Sequence, residues 1–265
     1  MRIALGVFDG VHRGHQKIIE KAHLVLTITP HPNPDIQLLT SPAEKKELIG
    51  NIAEFKFSPK NSKLSPEEFI NWLCQKYKPE SIFVGHDFHF GYLRQGNVSI
   101  LRQLGQKYNF SVTEIPEYNW QKETVRSSAI RKYLAAGEIK KANALLGREY
   151  QLNGKIIRGR RIGRRLGFPT INIKPDHPQK LLPADGVYQA EVIVKNKLFP
   201  AGIFIGQGKC EAHLLGFNGN LYGHKAVVFF KDHLRDNKKF TSREALSRQI
   251  RKDINKINKL IRHQA

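Results

Sequence analysis

Several kinds of residue are scarce in this chain of 265 residues. It holds two cysteines and two tryptophans, and only 23 acidic residues against 44 lysines and arginines. Cys74 and Cys210 do not form a close-spaced metal motif, and a lone pair so far apart in sequence is a weak disulfide candidate. The scarcity of cysteine therefore favours a reducing, cytoplasmic location over a secreted, disulfide-bonded protein.

Long apolar runs are also missing. No run approaches the roughly 18 residues of a membrane span. The N-terminal stretch MRIALGVFDG reaches Asp9 without the apolar core of a signal peptide. No membrane partner is therefore expected. Apolar residues still make up 40% of the chain, which predicts packed globular domains and excludes an intrinsically disordered protein.

The surplus of basic residues is uneven along the chain. Residues 1–148 hold 21 Lys and Arg against 14 Asp and Glu, and residues 149–265 hold 23 against 9, so the net charges are +7 and +14. A basic surface can bind nucleic acid, a membrane surface or small phosphates, and charge alone does not separate these partners.

The first half has the alternating pattern of an α/β unit. Strand-like apolar runs stand at 2–8, 24–30, 81–88 and 110–116, with helical patterns between them. Ser41 and Ser65 are each followed by Pro and, three residues on, by Glu, which predicts two capped helix starts. This order predicts a sheet of parallel strands with helices packed on it.

From about residue 150 the pattern changes to short β-branched or aromatic runs divided by Gly, Asn and Pro. This spacing predicts a small antiparallel barrel in which NGNLYG (218–223) forms a hairpin turn. Thr241 and Glu244 predict the capped start of a C-terminal helix. The boundary is placed after Arg148, which gives domains 1–148 and 149–265.

The turn after the first strand, GVFDGVHRGH (6–15), places His12 and His15 at the start of a helix. Its glycines allow the backbone to approach a phosphate closely, and a helix N-terminus favours negative charge. Each histidine can donate a hydrogen bond to a phosphate whose charge grows in a transition state. The alternative is a tight strand-to-helix turn with two solvated histidines.

Two further motifs of the first half have simple alternatives. Asp87 in VGHDFHFG follows a strand, where ligands bind in open α/β sheets, whereas Phe90 of the same motif is expected in the core. VRSSAIRKYL offers Ser127 and Ser128 as helix caps. Arg131, one turn later, could instead reach a triphosphate.

An arginine-rich loop punctuated by glycines, GRRIGRRLGFPTIN (159–172), stands near the start of the second half. Thr170 and Asn172 lie two residues apart on a predicted strand, so they face the same side. Both offer neutral oxygens to a Mg²⁺ that already carries nucleotide phosphates. Glu211 is a conspicuous carboxylate in a basic half, and it suits a general base that takes a hydroxyl proton. An RNA-binding loop and an ordinary surface glutamate are the alternatives.

Taken together, these motifs resemble the prokaryotic bifunctional riboflavin kinase/FMN adenylyltransferase (FAD synthetase) family. The resemblance runs nearly end to end. It rests on FDGVHRGH, PHP, VGHDFHFG and VRSSAIR in the first half, and on GRRIGRRLGFPTIN, LLPADGVY, EAHLLGF, NGNLYG and LRDNKKF in the second. It implies a Rossmann-like nucleotidyltransferase domain that joins AMP from ATP to FMN, followed by a six-stranded β-barrel that phosphorylates riboflavin. The implied fold class is α/β plus β, with a C-terminal helix.

The resemblance also implies site residues and ligands. His12 and His15 would hold ATP phosphates and stabilise the adenylyl transition state, and Glu211 would activate the riboflavin 5′-hydroxyl. The other positions implied for ATP or phosphate are Gly6, Phe8, Asp9, Gly10, Gly14, Asp87, Ser127, Ser128, Arg131, Gly159, Gly163, Arg164, Gly167, Pro169 and Thr170. Thr170 and Asn172 would hold Mg²⁺, and Phe90 and Arg235 would contact flavin. Riboflavin, FMN and ATP would be the substrates, and FAD the final product.

The chain departs from the family at several positions. Arg126 stands where the family has serine, and Gly216 where it has aspartate. The segment between His15 and the second strand is shorter, and the family's Arg-Pro-Thr loop before CEAHLLGF is missing. The proposed catalytic and metal-binding residues are intact, so both activities are expected.

Two alternatives remain beside a bifunctional enzyme. One activity alone is retained, or the chain is an RNA-binding protein that uses its basic second half. Single-strand binders interleave exposed aromatic residues with basic ones. Here the aromatic residues of the second half, Phe204 among them, lie in apolar runs and are expected in the core. Nucleic acid is therefore the less favoured partner.

Overall fold

The structure is a computed structural model, which describes residues 1–159, 163 and 166–262. Arg164, one of the predicted phosphate ligands, lies outside these ranges, as do the other arginines of its loop. The chain divides into two compact units, Met1–Ser127 and Ser128–Ala265.

The first unit contains a five-stranded parallel sheet in the order β3-β2-β1-β4-β5. Its strands are β1 (Arg2–Gly6), β2 (Leu24–Thr29), β3 (Ile52–Lys56), β4 (Ser81–Gly85) and β5 (Ser111–Ile115). Its helices are α1 (Arg13–Ile19), α2 (Pro42–Ile49), α3 (Pro66–Tyr77) and α4 (Val98–Tyr108). A small hairpin of β6 (Asn119–Trp120) and β7 (Glu123–Thr124) follows. The predicted α/β unit is confirmed.

The sheet buries both of its faces, because alternate residues of each strand point to opposite sides. Ile3 and Leu5 of β1 join a core with residues of α3 and α4, whereas Ala4 joins a second core with Ile18 of α1. The chain thus leaves β1 towards one face and leaves its neighbour β4 towards the other. Between these two strands lies the switch point of the sheet, where open α/β folds bind ligands beyond the carboxyl ends of the strands.

Both predicted helix caps of the first unit are confirmed. The Ser41 hydroxyl accepts a hydrogen bond from the backbone N–H of Glu44 at 3.2 Å, and the Glu44 carboxylate accepts one from the N–H of Ser41 at 3.0 Å. Ser65 and Glu68 make the same reciprocal pair at the start of α3. Each such cap contributes about 1 kcal/mol to helix stability.

The second unit is built around a closed antiparallel barrel in the order β10-β11-β12-β9-β8-β13. Its strands are β8 (Tyr150–Ile157), β9 (Ile171–Pro175), β10 (Gly186–Val194), β11 (Lys197–Gly206), β12 (Lys209–Leu214) and β13 (Lys225–Asp236). Two helices, α5 (Ser127–Ala135) and α6 (Ile139–Leu146), precede the barrel, and α7 (Arg243–Arg262) follows it. The predicted six-stranded barrel with a C-terminal helix is confirmed.

Helix α6 belongs to the compact unit of the barrel, although its sequence lies before the predicted boundary at Arg148. The side-chain amide of Asn143 explains this association. It donates to the carbonyl of Phe230 in β13 at 2.9 Å and accepts from the N–H of Tyr150 in β8 at 2.7 Å.

Two local predictions for the second half are wrong. The stretch NGNLYG is not a hairpin turn, because β12 and β13 are not neighbours in the barrel and the stretch crosses between unpaired strands. The cap at the start of α7 is Ser242 and not Thr241, since the Ser242 hydroxyl accepts from the N–H of Ala245 at 3.1 Å.

Candidate active sites

The turn between β1 and α1 has a strained backbone. Phe8 and Val11 both have positive φ angles, of 50° and 42°, which bulky and β-branched side chains rarely adopt. Such residues cost roughly 1–3 kcal/mol each and persist only where the surroundings hold them, often at functional sites. Gly10 has φ +90°, and a Cβ there would lie 2.8 Å from a methyl carbon of Leu39. This crowding leaves room for glycine alone at that position.

Asp9 is buried and holds the turn from one side. Its carboxylate accepts from the backbone N–H groups of Leu39 and Thr40, each at 3.0 Å, and from the Thr40 hydroxyl at 3.2 Å. The Thr40 hydroxyl in turn accepts from the N–H of Gly10 at 3.0 Å. The carboxylate thus serves the turn itself. The phosphate-binding role predicted for Asp9 would have to fall on its backbone.

Lys45 of α2 holds the same turn from below, a role that no local sequence signal predicts. Its ammonium donates to the carbonyl of Val7 at 2.7 Å and lies 3.4 Å from the Thr27 hydroxyl. That hydroxyl also donates to the Val7 carbonyl, at 2.9 Å. Burial lowers the pKa of Lys45, and the negative charges of Asp9 and Glu54 partly offset this. A lysine in a short helix is usually solvated, so only tertiary packing reveals its role.

His12 and His15 are stacked on each other, with ring centroids 3.5 Å apart and an angle of 16° between planes. His12 caps α1, because its Nδ1 accepts from the backbone N–H of His15 at 3.2 Å. That nitrogen therefore carries no proton, and the proton of a neutral His12 ring lies on Nε2. His12 can thus present an N–H donor to an anion, whereas the phosphate contacts of the pair stay predictions.

The predicted residues Gly6, Phe8 and Gly14 shape this pair. The Phe8 ring is buried, packs edge-on against His15 at 5.3 Å, and would lie 2.9 Å from a Cβ on Gly6. A Cβ on Gly14 would lie 3.4 Å from the His12 ring. These three residues act as packing around the histidines.

The carboxyl end of β4 borders the other side of the switch point. Asp87 is exposed there, and its carboxylate would lie 3.3 Å from a Cβ on Gly85. Phe90 is only 5% exposed and belongs to the core beneath the sheet, stacked near half-buried Phe88. The core alternative therefore describes Phe90 better than the flavin contact that the resemblance implies.

Three charged or titratable side chains meet beside Asp87. Glu117, which follows β5, accepts from Nε of Arg126 at 3.1 Å and from its Nη2. His86 Nε2 lies 3.6 Å from the same carboxylate. The Arg126 guanidinium holds the pKa of Glu117 below its usual range. We call these residues, His86, Glu117 and Arg126, the edge cluster.

Ser127 joins the edge cluster to the β1 turn. Its hydroxyl donates to the backbone carbonyl of Asp9 at 2.8 Å, and it is the first helical residue of α5. Its side chain thus does not act as the helix cap that the sequence suggested as an alternative. Ser128 and Arg131 belong to the second compact unit, and their predicted phosphate contacts stay predictions.

The second candidate site lies on the outside of the barrel. Glu211 of β12 stands directly opposite Asn172 of β9, and this row continues to Phe204 of β11 and Ile157 of β8. Directly opposed residues project to the same face of a sheet. Phe204 and Ile157 are 43% and 41% exposed, so two apolar side chains flank the polar pair. Phe204 was expected in the core, and that expectation is wrong.

We call residues 159–167 the glycine loop; of its described residues, Gly159 lies against Asn172 and Gly163 lies against Thr170. A Cβ on Gly159 would lie 2.1 Å from the amide nitrogen of Asn172. A Cβ on Gly163 would lie 3.1 Å from the Thr170 hydroxyl and 2.3 Å from the carbonyl of Phe168. Gly167 is exposed with φ +82°. The first two glycines are thus needed for close approach, and the third for its backbone conformation.

Two cavities border β9 and the residues just before it. The larger, about 790 Å³, is lined by Asn172, Glu211 and Phe204, together with Lys209, Lys238 and other basic residues. The smaller, about 300 Å³, is lined by Pro169, Thr170 and residues 217–222. His213, which sequence reasoning left unassigned, contacts the carbonyl of Pro169 through Nδ1 at 2.8 Å and fixes the segment between the cavities.

The oxygen donors at the start of β9, Thr170 and Asn172, suit one kind of metal ion. In the described part of the chain, no group of three or more His, Cys, Asp and Glu side chains could hold a metal ion. The Thr170 hydroxyl and the Asn172 amide oxygen are neutral ligands, which fit a Mg²⁺ bound mainly through substrate phosphates and water.

Arg235 is taken up by an ion pair. Its guanidinium donates to both carboxylate oxygens of Asp253 in α7, at 2.7–3.0 Å, and to the carbonyl of Asp236 at 3.0 Å. Arg235 thereby fastens α7 to β13. This geometry favours a structural role over the direct flavin contact that the resemblance implies.

The fold and the two sites define a class of protein. A parallel sheet with a histidine pair at its first turn resembles nucleotidyltransferases, and here it precedes a barrel in which Glu211 lines the same cavity as Gly159. Family models describe the same two parts: "FAD synthetase" matches residues 1–129 and "Riboflavin kinase" matches residues 146–261. Within the described ranges, no helix is both long and apolar enough to cross a membrane.

The relatives narrow this class to one family. A bifunctional riboflavin kinase/FMN adenylyltransferase from Buchnera aphidicola subsp. Schizaphis graminum is 35% identical over 97% of this chain and 93% of its own. One from Escherichia coli K12 is 28% identical over 95% and 90%. The chain belongs to the bifunctional riboflavin kinase/FMN adenylyltransferase family. A crystal structure titled a macrolide-efflux protein, from Streptococcus pneumoniae, matches with a TM-score of 0.84 at 26% identity, covering 96% of this chain and 92% of that one.

Proposed function

We propose that this chain makes FAD from riboflavin in two ATP-dependent steps. The barrel transfers the γ-phosphate of ATP to riboflavin and releases ADP and FMN. The sheet unit then joins AMP from a second ATP to FMN and releases pyrophosphate. Two arrangements in one chain support the proposal: the stacked pair His12 and His15, and the Asn172–Glu211 pair, each of which suits work on a phosphate.

In the kinase step, Glu211 accepts the proton of the riboflavin 5′-hydroxyl while the oxygen attacks the γ-phosphorus. The bond to the ADP oxygen breaks, and the glycine loop covers the phosphates with Gly159, Gly163, Arg164 and Gly167. The exposed ring of Phe204 and the exposed aliphatic side chain of Ile157 suit contact with the apolar ring system of a flavin. Thr170 and Asn172 would hold Mg²⁺, which neutralises phosphate charge when bound.

In the transferase step, a phosphate oxygen of FMN attacks the α-phosphorus of ATP, and the bond to pyrophosphate breaks. No covalent enzyme intermediate is needed, because both steps rest on positioning and charge stabilisation. His12 and His15 donate hydrogen bonds to the phosphates, and the backbone of residues 6–14 shapes their position. Asp87, Ser127, Ser128 and Arg131 are the other proposed contacts to the substrates.

We also propose that the two activities divide at Arg148, as domains 1–148 and 149–265, and that the enzyme works in the cytoplasm. Two free cysteines, one of them buried, support a reducing compartment. Both family models and the Buchnera relative name flavin chemistry, which supports these two activities and not macrolide efflux.

A product assay tests the proposal. Purified full-length protein with riboflavin, ATP and Mg²⁺ should yield FMN first and FAD later, separated by chromatography and detected by flavin fluorescence. FMN that accumulates without FAD would leave only the kinase. FAD formed from added FMN, with riboflavin untouched, would leave only the transferase. No product in either assay would overturn the assignment.

A further inference from the structure

No role is predicted for Arg126 of the edge cluster, although it lies near the β1 turn. Here the guanidinium lies on the carboxylate of Glu117, with Nε to Oε1 at 3.1 Å, and His86 Nε2 lies 3.6 Å from the same oxygen. The Arg126 and Glu117 side chains are 60% and 33% exposed.

The edge cluster lies at the switch point of the sheet. His86 follows β4, Glu117 follows β5, and both strands end at the same edge as β1. Ser127, the next residue after Arg126, donates to the carbonyl of Asp9 within the β1 turn. Arg126 also interacts electrostatically with Asp87. The guanidinium therefore lies near the β1 turn that carries His12 and His15, at the edge where open α/β sheets bind ligands.

The Glu117 carboxylate is a partner that an incoming anion can displace from Arg126. Exposed ion pairs contribute little to stability, since solvent screens them and both side chains lose freedom. A phosphate group carries more charge than a carboxylate and offers oxygens that match the fork of a guanidinium. A phosphate entering the crevice would thus compete successfully with Glu117.

We propose that Arg126 is a phosphate ligand of the adenylyltransferase site, which leaves Glu117 when a substrate phosphate enters the crevice. The inference rests on the proposed FMN adenylyltransferase activity. The phosphate belongs either to the polyphosphate chain of ATP or to FMN, and the chemistry of recognition is the same for both. Glu117 holds the side chain in place between turnovers and acts as the competing anion.

The test uses full-length R126S, R126K and E117Q with FMN and ATP as substrates and pyrophosphate as inhibitor. R126S should raise the KM of the contacted substrate about tenfold, with kcat nearly unchanged, since a charge-assisted bidentate contact is lost. R126K should recover part of this loss. E117Q should lower the same KM, because the competitor is removed. If ATP is the source, its KM and the inhibition constant of pyrophosphate shift together; if FMN is the source, only the KM of FMN shifts.

A structural role for the pair predicts a different pattern. R126S and E117Q both break it, so they would then change the kinetic constants in the same direction, and that result would overturn the proposal. Unchanged constants in R126S would do so too. R102S is the matched control, because Arg102 makes an equally exposed pair with Glu114 at 2.8 Å between α4 and β5. Absence of FAD with the wild-type enzyme would instead remove the proposed transferase activity itself.

Discussion

The two candidate sites are held in shape by different means. The β1 turn places bulky residues in a strained backbone and fixes them with buried polar groups, Asp9 and Lys45. The barrel site places glycines against Thr170 and Asn172 and takes its geometry from strand register. The first site should therefore respond to changes far from the substrate, and the second to added bulk on the loop.

Both candidate sites keep their proposed reacting groups on helices or paired strands. His12 caps a helix and His15 lies within it, whereas Asn172 and Glu211 lie on paired strands. Because each pair is positioned by backbone hydrogen bonds, removal of one side chain should abolish one activity and leave the other intact. The activity of the untouched site then reports that the variant is folded.

The largest effect is expected for E211Q. Loss of a general base slows such reactions by about 10²–10⁴-fold, so FMN formation from riboflavin should fall by roughly 10³-fold. FAD formation from supplied FMN should stay at the wild-type rate, as measured by flavin chromatography. E191Q is the matched control, since Glu191 lies on β10 and pairs with Lys231 at 2.8 Å. Equal losses of both activities in E211Q would contradict the separation of the sites.

H15A should slow FAD formation by about 10²–10³-fold, the usual cost of losing one donor to transition-state charge. The kinase activity should not change. H23A removes an exposed histidine just before β2 and should leave both activities intact. A wild-type rate of FAD formation in H15A would show that the stacked pair is only a helix cap and its packing.

G159A tests the barrel site through its backbone. The added methyl group would overlap the Asn172 amide, 2.1 Å away, so either the loop or Asn172 must move. Misplacement of a positioning residue should slow riboflavin phosphorylation roughly tenfold. The control is G202A, where the methyl group meets only the flexible end of Ile257 at 3.1 Å. If G159A keeps full kinase activity, the loop does not cover the substrate in that position.

The sequence predicts well what is decided locally. Alternation of apolar residues and the serine caps at Ser41 and Ser65 gave the elements of the first unit, because these signals act within a few residues. The H-x-G-H pattern likewise predicted that His12 and His15 lie together, because they are only three residues apart. The cap of α7 shifted by one residue because Thr241 and Ser242 offer equivalent hydroxyls, and the choice depends on where the helix begins.

Features that depend on distant parts of the chain were missed. Lys45 and Phe204 have local patterns of a solvated lysine and a core aromatic, yet one is buried under β1 and the other lines a groove. Arg235 forms an ion pair with Asp253 of α7, a residue that lies outside the motif LRDNKKF. The pairing of Asn172 with Glu211 depends on barrel register, so only the resemblance to the family linked them in advance.

The smallest expected effect concerns the buried charge beneath the β1 turn. Burial lowers the pKa of Lys45 in the folded protein from its ordinary value of 10.5, with Asp9 and Glu54 opposing the shift. Between the folded and unfolded pKa values, the unfolded chain binds the extra proton, so the free energy of unfolding should rise with pH in that window. The slope is at most about 1.4 kcal/mol per pH unit. Below the window, the charged ammonium carries its full desolvation cost.

The variant K45M removes the titrating ammonium, so the free energy of unfolding of the first unit should depend less on pH. Chemical denaturation at several alkaline pH values measures both free energies of unfolding. As pH rises, the wild type should gain stability relative to K45M. K46M serves as the control, because Lys46 is exposed on the same helix and its loss should leave the wild-type slope. Parallel curves for wild type and K45M would show that the ammonium keeps an ordinary proton affinity, and that the Val7 carbonyl and Thr27 hydroxyl fully replace its water.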